Sequence, residues 1–463
     1  MAPRAGVRAT PASREGASPS RDKSKWNLAF LGLLALLVIQ YTSLPQMFPV
    51  LQHFDIAKLA VAVAFLGLML SPDLRKPAAG PVHWLDTCVA LFLFVSLMSA
   101  CFSDHIGPAV SQFIDTFQWC VVYLLISRIA GKRWQLYVVM CLLMLLNLKL
   151  AQFSIRSYHQ DVISGVSAKD LAGRGEGAGS TAFFGNAGDF GVAMSVVWPL
   201  AGAMFAAEVK RWRKWFFAIC FFAFLGAIVV CSSRGALVAA AVIAFVAFMR
   251  SSKRVTGLAM MFVLIVAFFL AVPKASKERL EAAFHPHSDP TANDRLELWH
   301  FGMHLFAEHP MLGVGPGNFE PDYVAEHPIL DREHKLMAIV PHSIYVQTLS
   351  ELGIAGFIPL LALWLLVPVV NARTRKLLRE RGPENIRSFE YNLSWGLDLA
   401  LVGYLVSGAF ITVLYYPHLW VLLGLTSALY GAAARKPAVQ PTPEAPKRQP
   451  KALRRRVNAP VTC

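Results

Sequence analysis

The chain has 463 residues, 55% of them hydrophobic and only 16% charged, with a mean hydropathy of +0.47. A soluble protein of this length needs about 25% charged residues to wet its surface, so a soluble enzyme and a disordered scaffold are both excluded and a polytopic membrane protein remains. The net charge of +15, from 44 Lys+Arg against 29 Asp+Glu, would suggest nucleic acid in a soluble chain; in a membrane protein it first reports topology, because basic residues collect in cytoplasmic loops.

Residues 1–25 are rich in Arg, Ser and Pro and lack an apolar face, so they read as a disordered basic cytoplasmic tail rather than an organellar transit peptide. Twelve apolar runs then follow, near 27–44, 54–71, 83–102, 108–127, 134–152, 183–207, 215–231, 235–249, 255–273, 353–370, 392–414 and 417–434, each a candidate to cross ~30 Å of hydrocarbon. The first run has no small-residue cleavage site and is expected to stay as an anchor. The seventh and eighth are short, and only Ser232-Ser233-Arg234-Gly235 divides them, so a bent hairpin is an alternative to two spans. Residues 26–434 form one membrane domain. The tail 435–463, Pro-rich and ending in Arg454-Arg455-Arg456, reads as disordered and suited to touch anionic lipid. With both termini in the cytoplasm, 32 of the 44 basic residues fall in the tails and inside loops, while the outside loops 45–53, 103–107 and 415–418 carry none. That bias recurs along the whole chain and sets the orientation.

Cys88, Cys101, Cys120, Cys141, Cys220, Cys231 and Cys463 include no C-x-x-C pair and read as packing thiols, with a Cys101–Cys231 bridge near the outer surface as the alternative. Two outside segments are long: 153–182, glycine-rich around Gly173–Gly179, and 274–342, a large extramembrane loop between spans nine and ten that holds eight of the thirteen histidines. Long loops in compact proteins are usually functional, so chemistry is expected on the outer face, away from ATP.

Within the large loop, Thr291-x-x-Asp294 suggests a capping box, and Leu296, Trp299, Met303 and Phe306 are spaced as the apolar face of a helix that Pro310 ends. Gly313-Val314-Gly315-Pro316-Gly317-Asn318-Phe319 is a glycine-rich turn, either a plain tight turn or a backbone open to close approach by a ligand; it lacks the G-K-[ST] ending of a nucleotide loop. Pro341-His342-Ser343 opens a segment Ile344–Gly353 leading into span ten. A helix start favours the neutral imidazole, the form of His342 that accepts a proton. Arg174 in the glycine-rich loop, Arg234 at the outer end of the hairpin and Arg295 at the start of the loop helix are placed to grip phosphate bidentately, or each pairs with an acid or a lipid headgroup.

Other groups carry less. His300 and His304 are i,i+4 on the loop helix without an H-E-x-x-H or an evident third ligand, and His285, His287 and Asp289 read as a solvated loop. Asp86, Asp115, Asp189 and Asp398 lie in or near spans; Asp189 is the acid to single out. Glu351, more than two helical turns beyond His342, is too far along to orient that histidine directly.

Four ordered elements resemble the bacterial O-antigen ligase/polymerase superfamily. They are Ser232-Ser233-Arg234-Gly235-Ala236; Arg295-x-x-x-Trp299; His309-Pro310-x-x-Gly313-Val314-Gly315-Pro316-Gly317-Asn318-Phe319; and His342-Ser343-x9-Gly353-x-x-Gly356, which fits the pattern H-[NSQ]-x9-G-x-x-[GTY]. Gly185-Asn186-Ala187-Gly188-Asp189 resembles the family's motif before a span but departs from the usual Asn-Pro-Asn. The resemblance covers roughly residues 170–360. It implies a GT-C type glycosyltransferase of the bacterial inner membrane that takes a glycan from undecaprenyl pyrophosphate at the periplasmic face and passes it to an acceptor hydroxyl with inversion, using no metal, nucleotide or other cofactor. It implies His342 as general base, Arg234 and Arg295 (with Arg174 third) on the pyrophosphate, and Ser343, Gly315, Gly317 and Asp189 in support. The partners implied are the lipid-linked glycan, a glycan or lipid acceptor, membrane lipids, and other polysaccharide assembly and export proteins; nucleic acid is not among them. Ligase and polysaccharide polymerase remain open, the motif leaning to ligase. A twelve-span secondary transporter would need two similar halves joined by a long cytoplasmic centre, whereas 208–214 is short.

Overall fold

The computed structural model describes residues 26–42, 48, 55–71, 81–164, 187–231, 233–250, 290–327 and 339–435. These residues are all helical: α1 (Leu28–Thr42), α2 (Ile56–Met69), α3 (Val82–Cys101), α4 (Ile106–Ile129), α5 (Arg133–Ile163), α6 (Ala187–Ala207), α7 (Arg211–Val230), α8 (Arg234–Arg250), α9 (Pro290–Glu308), α10 (Phe319–Glu326), α11 (Ile344–Glu380), α12 (Phe389–Gly408) and α13 (Pro417–Ala434), with a 3-10 turn at Pro383–Arg387. Helices α3–α7 and α11 are long and apolar enough to cross a membrane, and α1 and α2 are shorter apolar helices. The chain is an all-helical polytopic membrane protein. Every apolar run predicted from the sequence coincides with a helix except the ninth, 255–273, which lies outside the described residues together with both tails.

In hydrocarbon a backbone must satisfy its own N–H and C=O groups, which the helix does within one segment. What the sequence adds is which faces meet protein. Helices α6 and α13 are buried almost all round; α3, α4 and α7 turn Phe94, Phe117 and Phe222 outward, as lipid permits. Small residues let the central pair approach closely: a Cβ at Gly403 of α12 would lie 2.7 Å from the Ser195 carbonyl of α6.

Side-chain contacts sort the helix ends into two groups. At one end, Arg128 pairs with Asp86 at 2.7 Å and Arg133 with Glu390 at 3.3 Å, the Tyr137 hydroxyl donates to Glu208 at 2.6 Å, and Arg381 donates to the carbonyls of Ala434 and Arg435 that close α13. Arg375 pairs with Asp398 at 2.8 Å on the same side. Asp86 and Asp398 are therefore accounted for by ion pairs, and Asp115 is exposed. At the other end lie the α3–α4, α7–α8 and α12–α13 turns, the starts of α6 and α11, and α9 and α10.

Two alternatives are removed, and two expectations about one helix need correction. The seventh and eighth runs are two separate helices, α7 and α8, as the count of twelve runs has them, rather than the alternative bent hairpin. Cys101 is exposed, Cys231 is buried, and both are free thiols, which removes the alternative disulfide. Helix α9 starts at Pro290, so Thr291 lies inside it rather than capping it. Its inward face is also not the predicted one: Phe301 and Leu305 are buried against Phe319 and Tyr323 of α10, while Leu296 and Met303 are about half exposed. The sequence held two apolar stripes on this helix, and packing of α10 chose between them.

Candidate functional site

The site is built around a break in α11. Gly353 has φ 62° and ψ −165° inside the helix, a conformation that a residue with a Cβ rarely adopts. The break leaves carbonyls without partners before it and N–H groups after it. The glycine-rich turn takes up both sets. Val314 N–H donates to the Ser350 carbonyl at 2.9 Å and Gly315 N–H to the Glu351 carbonyl at 3.0 Å, while Ile354 and Ala355 N–H donate to the carbonyls of Pro310 and Met311. Ser99 of α3 adds its hydroxyl, 2.7 Å from the Leu312 carbonyl and 2.9 Å from that of Glu351. The fit leaves no room for side chains: a Cβ on Gly313 would sit 2.3 Å from the Glu351 carbonyl carbon, and one on Gly353 would sit 2.4 Å from the Met311 oxygen. The spacing H-P-x-x-G-V-G and the x9-G after His342 are thus two halves of one hydrogen-bonded joint. Gly315 lies against Ser103 and Gly317 against Gln112, so both support the turn rather than line an open cradle.

His342 sits just before α11, with Ser343 buried behind it at the N-cap position. Among the described residues it is the one non-glycine residue with positive φ, at 47°. The conformation is held from α9. Trp299 Nε1 donates to the Pro341 carbonyl at 2.9 Å, and Arg295, one helical turn earlier on α9, places its charge by the imidazole. Burial and then the Arg295 charge lower the His342 pKa to about 4. The ring is therefore neutral at physiological pH, with burial and Arg295 as causes that the sequence reading did not name. The Arg295-x-x-x-Trp299 spacing puts an anchor and a cation on one face of one helix.

Arg234 begins α8. Its neighbour Gly235 lies against Phe410 at the end of α12, and Gly408 of α12 lies against Ile344 at the start of α11; the Tyr345 hydroxyl donates to the Leu405 carbonyl at 3.0 Å. The starts of α8 and α11 are therefore joined through the end of α12. Asp189 is buried in the first turn of α6, and Gly191 packs on Ser233 and Ala236, which puts Asp189 at the same corner as Arg234. Tyr416 lies near Asp189, and burial together with that carboxylate pushes the tyrosine hydroxyl's pKa up. His342, Ser343, Arg295, Arg234 and Asp189 thus share one end of the bundle. Arg174, Gly173–Gly179, Gly185, Asn186, His285, His287 and Asp289 lie outside the described residues.

Sequence reasoning missed Tyr415, Tyr416 and Ser99, which tie the turns to the bundle, and Gln347. A tyrosine pair in a charge-free outer turn was the available signal. Among the described residues His304, Glu308 and Glu326 could hold a metal ion, their ligand atoms lying within 4.8 Å of one another; all three are exposed. His304 and Glu308 are on the later half of α9, away from Arg295, and His300 is not in this group.

Residues 200–361 match the Wzy_C family model, described as O-antigen ligase. The match contains Arg234, Arg295, the glycine-rich turn and His342; Asp189 and Arg174 precede it. Members of that family are membrane ligases and polymerases of polysaccharide assembly that act on lipid-linked glycans. No curated protein matches the chain.

Proposed function

We propose that this protein is an inner-membrane glycosyltransferase that moves a glycan from undecaprenyl pyrophosphate to an acceptor hydroxyl on the periplasmic side, in the manner of an O-antigen ligase. The observation that carries this reading is the pairing of a partly buried, neutral histidine, His342, with the Arg295 cation at one end of a membrane bundle. A base and an anion-binding cation side by side suit a displacement in which a hydroxyl is deprotonated while a pyrophosphate leaves. In the reaction the acceptor oxygen bonds to the anomeric carbon as the bond from that carbon to the pyrophosphate oxygen breaks. His342 takes the hydroxyl proton, and Arg295 and Arg234, with Arg174 as a third, meet the growing charge on the leaving pyrophosphate. In-line attack gives inversion. We propose twelve spans with both termini cytoplasmic and 274–342 as one large periplasmic loop, an orientation that the basic residues gathered at the opposite end support. The domain division proposed is a membrane domain at 26–434 between two basic tails, 1–25 and 435–463, that lie almost wholly outside the described residues.

Replacing His342 by Ala is expected to abolish glycan transfer while the protein still inserts. Normal surface glycan in His342→Ala cells would sink the mechanism. Polymerase activity is the second reading, because the same base and the same cations serve it. Deleting the gene and sizing the cell's glycans separates the two. Single repeat units identify a lost polymerase; intact lipid-linked polymer beside unmodified acceptor identifies a lost ligase.

A further inference from the structure

Among the described residues, Glu351 is a buried ionisable group that the transfer reading leaves without a task. Glu351, in the part of α11 that precedes the Gly353 break, is 2% exposed, and its carboxylate faces groups from three pieces of chain. Tyr415 of the α12–α13 turn donates its hydroxyl at 2.6 Å. Gln347, one helical turn earlier, donates its amide nitrogen at 3.4 Å. The backbone N–H groups of Gly317 and Phe319, where the glycine-rich turn enters α10, lie close enough to act on the same carboxylate. A carboxylate removed from water is costly unless its lone pairs are occupied, and an apolar residue would fill the same space without that cost. The carboxylate therefore marks a need to join these segments.

The joined segments lead to both neighbours of His342. In one direction, Phe319 packs edge-on against Phe301 of α9 with ring centroids 5.5 Å apart, and Trp299 of the same helix holds the Pro341 carbonyl. In the other, Gln347 N–H donates to the Ser343 carbonyl at 2.9 Å. We propose that Glu351 is a positioning residue for glycan transfer: it clamps the glycine-rich turn and the α12–α13 turn onto the start of α11, and so keeps His342 in its left-handed conformation beside Arg295. The proposal rests on His342 being the base.

The test uses the full-length protein in detergent, with Glu351→Gln and, as a milder change, Tyr415→Phe. Two measurements are made on each. Hydrogen exchange follows the amides of 313–319 without any substrate. Transfer kinetics use a lipid extract of the producing cells that carries pyrophosphate-linked glycan. We expect faster exchange at 313–319 in both variants. We also expect kcat to fall by about 10- to 100-fold, since a displacement near 1 Å can cost 10²-fold, with KM for the lipid-linked donor held within about twofold because the pyrophosphate-gripping arginines lie on α8 and α9. The double variant should be no worse than the worse single one, as coupled groups are not additive. Unchanged exchange, wild-type kcat, or a loss confined to KM would each overturn the proposal. If the wild-type protein transfers no glycan, the proposed function fails instead, and the exchange measurement alone decides the clamp.

Discussion

His342 combines a φ of 47° with a pKa lowered to about 4, and the two properties have one cause, the packing of α9 against the start of α11. The pH consequence follows from the sign of the shift. Between about 4 and the ordinary value of 6.5 the unfolded chain binds this proton and the folded chain does not, so the contribution of His342 to stability is present above pH 6.5 and is lost as pH falls toward 4. For catalysis, kcat/KM should stay level as pH is lowered from 8 to about 5.5. Arg295→Ala removes a charge that disfavours the imidazolium, so it should move the acid limb upward as well as weaken donor binding. A wild-type acid limb near 6.5, or one that Arg295→Ala leaves in place, contradicts the assignment. The sequence placed His342 and Arg295 on one side of the membrane; it held no sign that burial and the Arg295 charge keep the ring neutral.

At the scale of elements, the joint between the glycine-rich turn and the broken α11 decides the geometry. Gly353→Ala forces a Cβ into a positive-φ, extended-ψ conformation that is essentially glycine-only, at about 1–3 kcal/mol, and drives it against the Met311 carbonyl. We expect a clear drop in melting temperature and loss of transfer. Gly107→Ala is the control, since nothing lies within 4 Å of its added Cβ and its melting temperature should stay near wild type. If both variants melt alike, the joint is not a structural determinant. The break was legible as a pattern, His-Ser-x9-Gly, but its partner was not: the complementary N–H and C=O groups come from 310–315, almost forty residues earlier. The same limit explains the wrong face on α9. Helical spacing permits two apolar stripes there, and only α10 buries one of them.

For the whole molecule, the sorting of helix ends predicts accessibility. The native Cys101, exposed at the end of α3, is first replaced by Ser so that it does not report. Met311→Cys, at a site 65% exposed, should then react with a membrane-impermeant maleimide in spheroplasts. Ile386→Cys, at a site 43% exposed, should react only after the membrane is opened. The reverse result would invert the orientation and place His342 on the cytoplasmic side, incompatible with a periplasmic transfer. The basic residues argue for the first outcome, since Arg128, Arg133, Arg375 and Arg381 all gather at the end opposite His342.

The sequence by itself determined that this is a polytopic helical protein, where its helices lie, and that its basic residues favour one end, because hydropathy and charge act locally along the chain and the bilayer reads them segment by segment. It also held the motif residues of the candidate site as separate short strings. Tertiary structure decided what those strings do together. It turned a glycine-rich stretch into the complement of a helix break, set Trp299 on the Pro341 carbonyl, partly buried His342 beside Arg295, and gave Glu351, too distant along the chain to touch the histidine, a route to both of its neighbours. Those outcomes depend on hydrogen bonds and packing between segments tens of residues apart, for which periodicity and composition carry no signal.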